Sequence, residues 1–200
     1  QAVTVKFPVT TEGEFQGVNL LAWTTTPWTL PTNFAVAVGP EIEYSVVEAN
    51  GERFLIATSL MSQYLKEFGV ESEKDLSVSK TVSGNDLKGL RYQPVFDYYT
   101  SGFDTENAWQ ILVGEYVSAD EGTGIVHQAP AYGEDDQALC NEAGIPTYVS
   151  VNERGEFNAL ISDFEGMHVF DANKPITQKL KESGGLFRQA SYDHPYPHCY

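Results

Sequence analysis

Two hundred residues are enough for one domain with a sizeable core, and 42% hydrophobic with 12% aromatic residues exclude a disordered chain. A net charge of −16 excludes a duplex-binding surface, which needs a basic face to release counterions. No apolar run approaches a membrane span, no signal peptide is present, and Cys140 and Cys199 form no close pair, which fits a reducing, cytoplasmic setting with one disulfide left open.

In chain order, Val3 to Val9 alternates as a strand does, Thr10 to Gln16 is a polar turn, and Val18 to Trp23 is an apolar run suited to a buried strand. Thr24 to Asn33 carries Pro27 and Pro31, which exclude a regular helix or central strand and predict a rigid loop rich in hydroxyls. Ala35 to Val38 and Tyr44 to Glu48 read as strands, with Asn50-Gly51 as a hairpin turn and Arg53 to Thr58 as the return. Leu60 to Phe68 has helical spacing, with Ser59 as N-cap and Gly69 as C-cap. After a charged loop at Glu71 to Asp75, Leu76 to Val82 is strand-like and Gly84 to Tyr92 a loop.

Tyr92 to Tyr99 suggests an irregular strand, and Ala108 to Val117 a strand with one buried face. Gly122 and Gly124 bracket a close backbone approach before the strand Ile125-Val126-His127, which Pro130 closes. Glu134 to Ala143 predicts a short helix, Thr147 to Val151 a strand and Asn152 to Glu156 a turn. Pro175 to Glu182 predicts a helix with proline in its first turn, ended by Gly184-Gly185, and Leu186 to Tyr192 a last strand. Many short strands with about three short helices predict a mainly β fold, a closed or nearly closed β-barrel with the helices packed outside. The expected organisation is a single domain over 1–200, excised from a longer protein, with 193–200 as the return segment.

No G-x-S-x-G elbow, H-E-x-x-H, P-loop or dinucleotide fingerprint occurs, and no His/Cys cluster has zinc spacing. A serine nucleophile and a metallohydrolase are therefore unsupported. His127 by itself reads as a satisfied core histidine or as the wall of a small pocket. Asp136 by itself reads as an acid complementing a helix N-terminus, as Glu134 and Asp135 do.

Taken together, Trp23-Thr24-Thr25-Thr26-Pro27-Trp28-Thr29-Leu30-Pro31-Thr32-Asn33 and Gly122-Thr123-Gly124-Ile125-Val126-His127-Gln128-Ala129-Pro130-Ala131-Tyr132-Gly133-Glu134-Asp135-Asp136 resemble the editing domain inserted in isoleucyl-tRNA synthetases. The family pattern is W-T-T-T-P-W-T-L-P-x-N followed by G-T-G-x-V-H-x-A-P-x-x-G-x-x-D, and the resemblance extends over nearly the whole chain. The related leucyl and valyl domains typically carry T-T-R-P-[DE]-T, where this chain has Thr26 and Trp28 in place of the arginine and the acid. That difference points to the isoleucyl member.

The resemblance implies hydrolysis of the ester on valyl-tRNA(Ile), with isoleucyl-tRNA(Ile) excluded by size. One methylene discriminates by only about 1–3 kcal/mol, a magnitude known for this very isoleucine–valine pair and not drawn from this chain, so a second, smaller pocket is needed. Asp136 would bind the α-ammonium by a charge-assisted hydrogen bond. Thr24, Thr25 and Thr26 would line the acyl and ribose region and orient water. His127 would limit side-chain size and contact the ester. Trp28 and Asn33 would shape the terminal adenosine site, against plainer roles as a core ring and a loop cap.

No covalent intermediate and no metal or other cofactor is expected in this domain, while a full-length ligase would use ATP and Mg2+, with Zn2+ only outside this stretch. The implied partners are the tRNA(Ile) 3′ end and the covalently continuous catalytic body, with no membrane and a monomeric state. In His194-Pro195-Tyr196-Pro197-His198-Cys199, Cys199 sits where some members place a zinc-ribbon ligand, and Tyr196 is either a packing residue or a substrate neighbour. Two other readings remain open at this point: a barrel that binds an acceptor end or a small polar ligand without catalysis, and an acidic protein-interaction module.

Overall fold

The computed structural model describes residues 1–191, so the predictions made for His194, Tyr196 and Cys199 lie outside the described residues. Among the described residues nine strands form two sheets: β1 (Ala2–Pro8), β2 (Asn19–Thr24), β3 (Ala35–Val38), β4 (Glu43–Ala49), β5 (Glu52–Ala57), β6 (Ser77–Ser83), β7 (Ile111–Val113), β8 (Ile125–Gln128) and β9 (Leu186–Ala190). The larger sheet has the order β6-β4-β5-β2-β1-β9 and the smaller β7-β3-β8.

The mainly β class is as expected, but the barrel is not: both sheets are open among the described residues. The prolines explain part of this. After Thr24 the chain turns through Pro27 and Pro31, which cannot donate to a ladder, and re-enters as β3 in the other sheet. β2 then packs beside β8 without sharing a ladder. Within the large sheet β5 runs parallel to β2 and the other pairs are antiparallel, so β1 and β9 lie side by side, with a register shift at Thr4/Val5. Asn50 (φ 52°) and Gly51 (φ 78°) make the β4–β5 hairpin turn that their dipeptide predicts.

The expected rigid loop at 24–33 contains two turns of 3-10 helix, Pro27–Thr32, with Pro27 at its start where no N–H is needed. The helix expected over Leu60–Phe68 is instead a 3-10 segment, Thr58–Tyr64, followed by turns. Its Leu60, Met61, Tyr64 and Phe68 are buried as the spacing requires, but Ser59 caps nothing. Tyr92–Tyr99 is not a strand. Only Tyr92 forms a bridge, to Val9, and Phe96, Tyr98 and Tyr99 enter ring clusters.

The strand expected over Ala108–Val117 shrinks to β7, because Trp109 takes φ 56° just before it. Thr147–Val151 is not a strand either: the Ser150 amide donates to the Tyr132 hydroxyl (3.1 Å) rather than to a ladder. Helix α1 (Glu134–Glu142) is as predicted, whereas α2 (Val169–Ser183) begins six residues before Pro175 and runs through it, ending at Gly184 with φ 82°. His168 caps α2, its Nδ1 accepting the amide of Phe170 at 3.2 Å.

Candidate active site

The Thr24–Asn33 segment is folded by its own hydroxyls. Thr24 Oγ1 accepts the Thr26 amide at 3.0 Å, Thr29 Oγ1 donates to the Thr26 carbonyl at 2.9 Å, and Thr32 Oγ1 donates to the Thr29 carbonyl at 2.9 Å. These side-chain turns supply the partners that the prolines remove from the backbone. Thr24 is buried, Thr25 half-buried and Thr26 exposed. The Thr25 hydroxyl has no hydrogen-bond partner among the described residues. Helix α2 docks on the segment through Asn173, whose Oδ1 accepts the amide of Trp28 at 2.9 Å.

His127 lies on β8, paired in register with Val36 of β3, and is 7% exposed. Both ring nitrogens are occupied: Nε2 is 2.8 Å from Thr29 Oγ1, and Nδ1 is 2.8 Å from Asn33 Nδ2. Burial pushes its pKa down to about 3, so the ring is neutral at physiological pH. With both nitrogens engaged, His127 has no free lone pair to act as a general base. What it can offer a substrate is a rigid wall.

Asn33 does not face the cavity described below. It is 3% exposed. Its Nδ2 also donates to the Ala35 carbonyl (2.9 Å), its Oδ1 accepts from Tyr92 Oη (2.6 Å), and its carbonyl accepts from Trp109 Nε1 (2.9 Å). All its polar side-chain atoms are therefore used inside the protein.

Asp136 sits in the first turn of α1, and its Oδ2 accepts the amide of Ala129 at 2.9 Å. This ties the carboxylate to the end of β8, two residues beyond His127. Burial first, then the neighbouring Asp135, raises its pKa, so the ionised form lacks full compensation. Trp28 meets Tyr132 edge-on with centroids 4.9 Å apart. That contact, with the Thr29–His127 bond, joins the threonine segment to the stretch leading into Asp136.

A cavity of about 560 Å³ opens beside these elements, with Trp23, Thr24 and Thr25 on one side and Glu121, Gly122 and Thr123 on the other. The size lies within the range of about 300–1,000 Å³ usual for small-molecule sites. Among the predicted site residues only Thr24 and Thr25 are in its walls; Thr26, Trp28, Asn33, His127 and Asp136 are not. Gly122 is required there, because a Cβ would come 3.0 Å from the Trp23 ring and its φ is +74°.

The residues that sequence reasoning missed are Thr29, Tyr92, Tyr132 and Asn173. Thr29 and Tyr132 stand inside the two quoted motifs, so their positions were visible. Tyr92 and Asn173 lie far away in sequence and carry no spacing signal.

No family model matches the chain. It is 47% identical over its whole length to the isoleucine–tRNA ligase of Leifsonia xyli subsp. xyli, of which it covers 20%. It is 44% identical, again over its whole length and 20% of the relative, to the isoleucine–tRNA ligases of Tropheryma whipplei and Mycobacterium tuberculosis. The chain thus spans about a fifth of the length of these curated relatives. Among solved structures it resembles a P. falciparum cytosolic leucyl-tRNA synthetase editing domain, with TM-score 0.71 and 12% identity over 94% of this chain and 99% of that one. The GlLeuRS-CP1 structure superposes with TM-score 0.67 and 14% identity over 100% of both chains.

Proposed function

We propose that this chain, which belongs to the isoleucine–tRNA ligase family as one segment of it, removes valine from mischarged valyl-tRNA(Ile) by hydrolysing the aminoacyl ester. The fold it shares with editing domains supports that reading. On this reading the tRNA 3′ end is delivered by the rest of the ligase, whose ATP and Mg2+ act elsewhere. The cytoplasmic setting and the monomeric state are part of the same proposal.

The observation that carries it is the Thr25 hydroxyl, unpartnered among the described residues and set in the wall of the 560 Å³ cavity beside Thr24. An activated ester needs a positioned water more than a strong base. Thr25 orients that water by its hydroxyl, and Thr24 and Thr26 hold the turn that presents it. Water adds to the ester carbonyl, and the proton it loses accompanies the departing ribose oxygen through solvent. No acyl-enzyme forms.

Asp136 takes the α-ammonium, and the bound cation relieves the burial cost that raises its carboxylate pKa. His127 and Asp136 lie outside the walls of that cavity, so on this reading the aminoacyl group extends past Thr25 toward them, and there the His127 ring sets the size limit. The terminal adenosine lies against Trp23 and Gly122, in place of the expected Trp28 and Asn33. Acidic walls at Asp120 and Glu121 suit a cationic aminoacyl group better than a free phosphate.

The test is deacylation of valyl-tRNA(Ile) and isoleucyl-tRNA(Ile) by this chain at high protein concentration and low salt. Selective loss of valine is expected. If neither ester is cleaved, and Asp136→Ala leaves deacylation by a full-length ligase unchanged, the hydrolase reading is overturned in favour of a module that only binds.

A further inference from the structure

We propose that Asn33 is a positioning residue: it fixes the proton of neutral His127 on Nε2, and through that proton it holds the threonine turn of the site. The consequence for catalysis rests on the editing reading above, whereas the assignment of the proton does not.

Donors and acceptors around Asn33 and His127 match in only one arrangement. The Ala35 carbonyl accepts only, so the amide atom 2.9 Å from it must be Nδ2. The other side of the Asn33 amide is then its oxygen, and Tyr92 Oη donates to it at 2.6 Å. The second Nδ2 hydrogen points at His127 Nδ1, 2.8 Å away, which must therefore present a lone pair. A neutral ring with a bare Nδ1 carries its proton on Nε2, which faces Thr29 Oγ1 at 2.8 Å. Thr29 accepts that proton and is free to give its own to the Thr26 carbonyl at 2.9 Å.

The result is one directed chain of donors: Tyr92 to Asn33, Asn33 to His127, His127 to Thr29, and Thr29 to Thr26. The Asn33 and His127 links each leave the next group one way to satisfy itself, and Thr29 gives its proton to the Thr26 carbonyl at 2.9 Å in preference to the Thr26 hydroxyl at 3.4 Å. If the His127 proton moved to Nδ1, Nε2 would demand a donor, Thr29 would turn its hydroxyl toward the ring, and the Thr26 carbonyl would keep only the Thr29 amide as a partner. The turn carrying Thr24, Thr25 and Thr26 would then lose the side-chain member of the two bonds that Thr29 makes to the Thr26 carbonyl, while the Thr29–His127 contact would persist with its direction reversed. Asn33 thus acts on the site without touching substrate.

The experiment is 15N NMR of the histidine rings in the isotopically labelled chain at pH 7, which reports the nitrogen that carries the proton. Wild type is expected to show the Nε2–H tautomer at His127. Asn33→Asp replaces the donor with an acceptor and is expected to move the proton to Nδ1. Tyr92→Phe is expected to keep Nε2–H, because the Ala35 carbonyl still orients the amide, while lowering stability; it separates packing from positioning. An Nδ1–H tautomer in wild type overturns the proposal whether or not the variants fold, and so does retention of Nε2–H in folded Asn33→Asp.

Valyl-tRNA(Ile) deacylation by Asn33→Asp is expected to fall by roughly tenfold to 10²-fold in kcat with little change in KM. A reversed tautomer with full kcat overturns the coupling to the threonine turn. Wild type that shows Nε2–H but cleaves no ester, together with a full-length ligase whose deacylation is unchanged by Asp136→Ala, overturns the editing reading alone.

Discussion

Asp136 bonds back across the start of its own helix: its Oδ2 accepts the amide of Ala129, the residue that follows β8, at 2.9 Å. The carboxylate therefore has a structural duty as well as a proposed duty toward the substrate ammonium, and two substitutions separate them. Asp136→Asn keeps an oxygen for the Ala129 amide and is expected to fold with little loss. Asp136→Ala leaves that amide without its partner and is expected to cost about 1–2 kcal/mol. Both remove the charge, so both should lose most valyl-tRNA(Ile) deacylation. Thermal melts paired with deacylation rates check this, and wild-type turnover in either variant would remove Asp136 from the site.

Gly124 is required twice over. Its φ is +77°, and a Cβ there would lie 2.6 Å from the Ala57 Cβ. Gly124→Ala combines a left-handed penalty with overpacking, together about 3 kcal/mol. At the usual sensitivity of a domain this size, that lowers the Tm by roughly 6–12 °C. Adding Ala57→Gly should restore the steric part and leave the backbone part. A double variant no more stable than the single one would show that the close approach is not the cause.

Much of the fold is legible because local rules and tertiary structure agree. The β4–β5 hairpin follows from Asn50-Gly51, and β3 occupies the four residues its apolar run predicts. Legibility fails where side chains replace backbone pairing. Tyr99 ends an aromatic-rich stretch that reads as an irregular strand, yet its ring packs on Phe34 and Phe103. Pro175 signals a helix start, but contacts of Val169 and Ala172 with the core carry α2 past that signal. Barrel closure was not readable, because it depends on how strand edges meet and not on any strand's own pattern.

At the site, the sequence motifs name residues that do come together, through Thr29–His127 and Trp28–Tyr132. They do not show which of these face the cavity. Asn33 has its motif position and yet points inward, because its partners Tyr92 and Trp109 lie far along the chain.

Asn173 is the latch between α2 and the threonine segment, through the amide of Trp28. Asn173→Ala removes one side-chain bond, worth about 1 kcal/mol, from a half-buried position in the middle of the helix. Hydrogen exchange should quicken at Trp28 while the Leu180 region of α2 stays protected. Uniform loss of protection across α2 would mean that the helix itself, rather than the latch, was disturbed.

Deacylation is expected to survive chelating agents. Among the described residues no group of three or more His, Cys, Asp or Glu side chains is placed to hold a metal ion. The proposed chemistry needs only a positioned water. Activity lost to a chelator and restored by a specific divalent ion would place a metal in the reaction and displace Thr25 from its role.

His127 makes a prediction with a definite sign. Its folded pKa is pushed down to about 3, below the ordinary 6.5 of the unfolded chain. The unfolded state therefore takes up a proton first as pH falls. Stability from this group is complete above pH 6.5 and is lost progressively between there and about pH 3, amounting to about 2 kcal/mol between pH 7 and pH 5. His127→Ala deletes the ring and leaves one Nδ2 hydrogen of Asn33 and one Oγ1 lone pair of Thr29 without a partner, at a cost on the order of 3 kcal/mol at pH 7. Because the variant has no such group to titrate, its deficit against wild type should shrink to about 1 kcal/mol at pH 5. Urea unfolding of both proteins at the two pH values measures this, and a deficit that stays constant would mean the histidine is not buried neutral. The same variant should cleave isoleucyl-tRNA(Ile) as well as valyl-tRNA(Ile), since the proposed wall is gone. Unchanged selectivity together with the pH-dependent deficit would leave His127 a core residue that holds the threonine turn without setting the size limit.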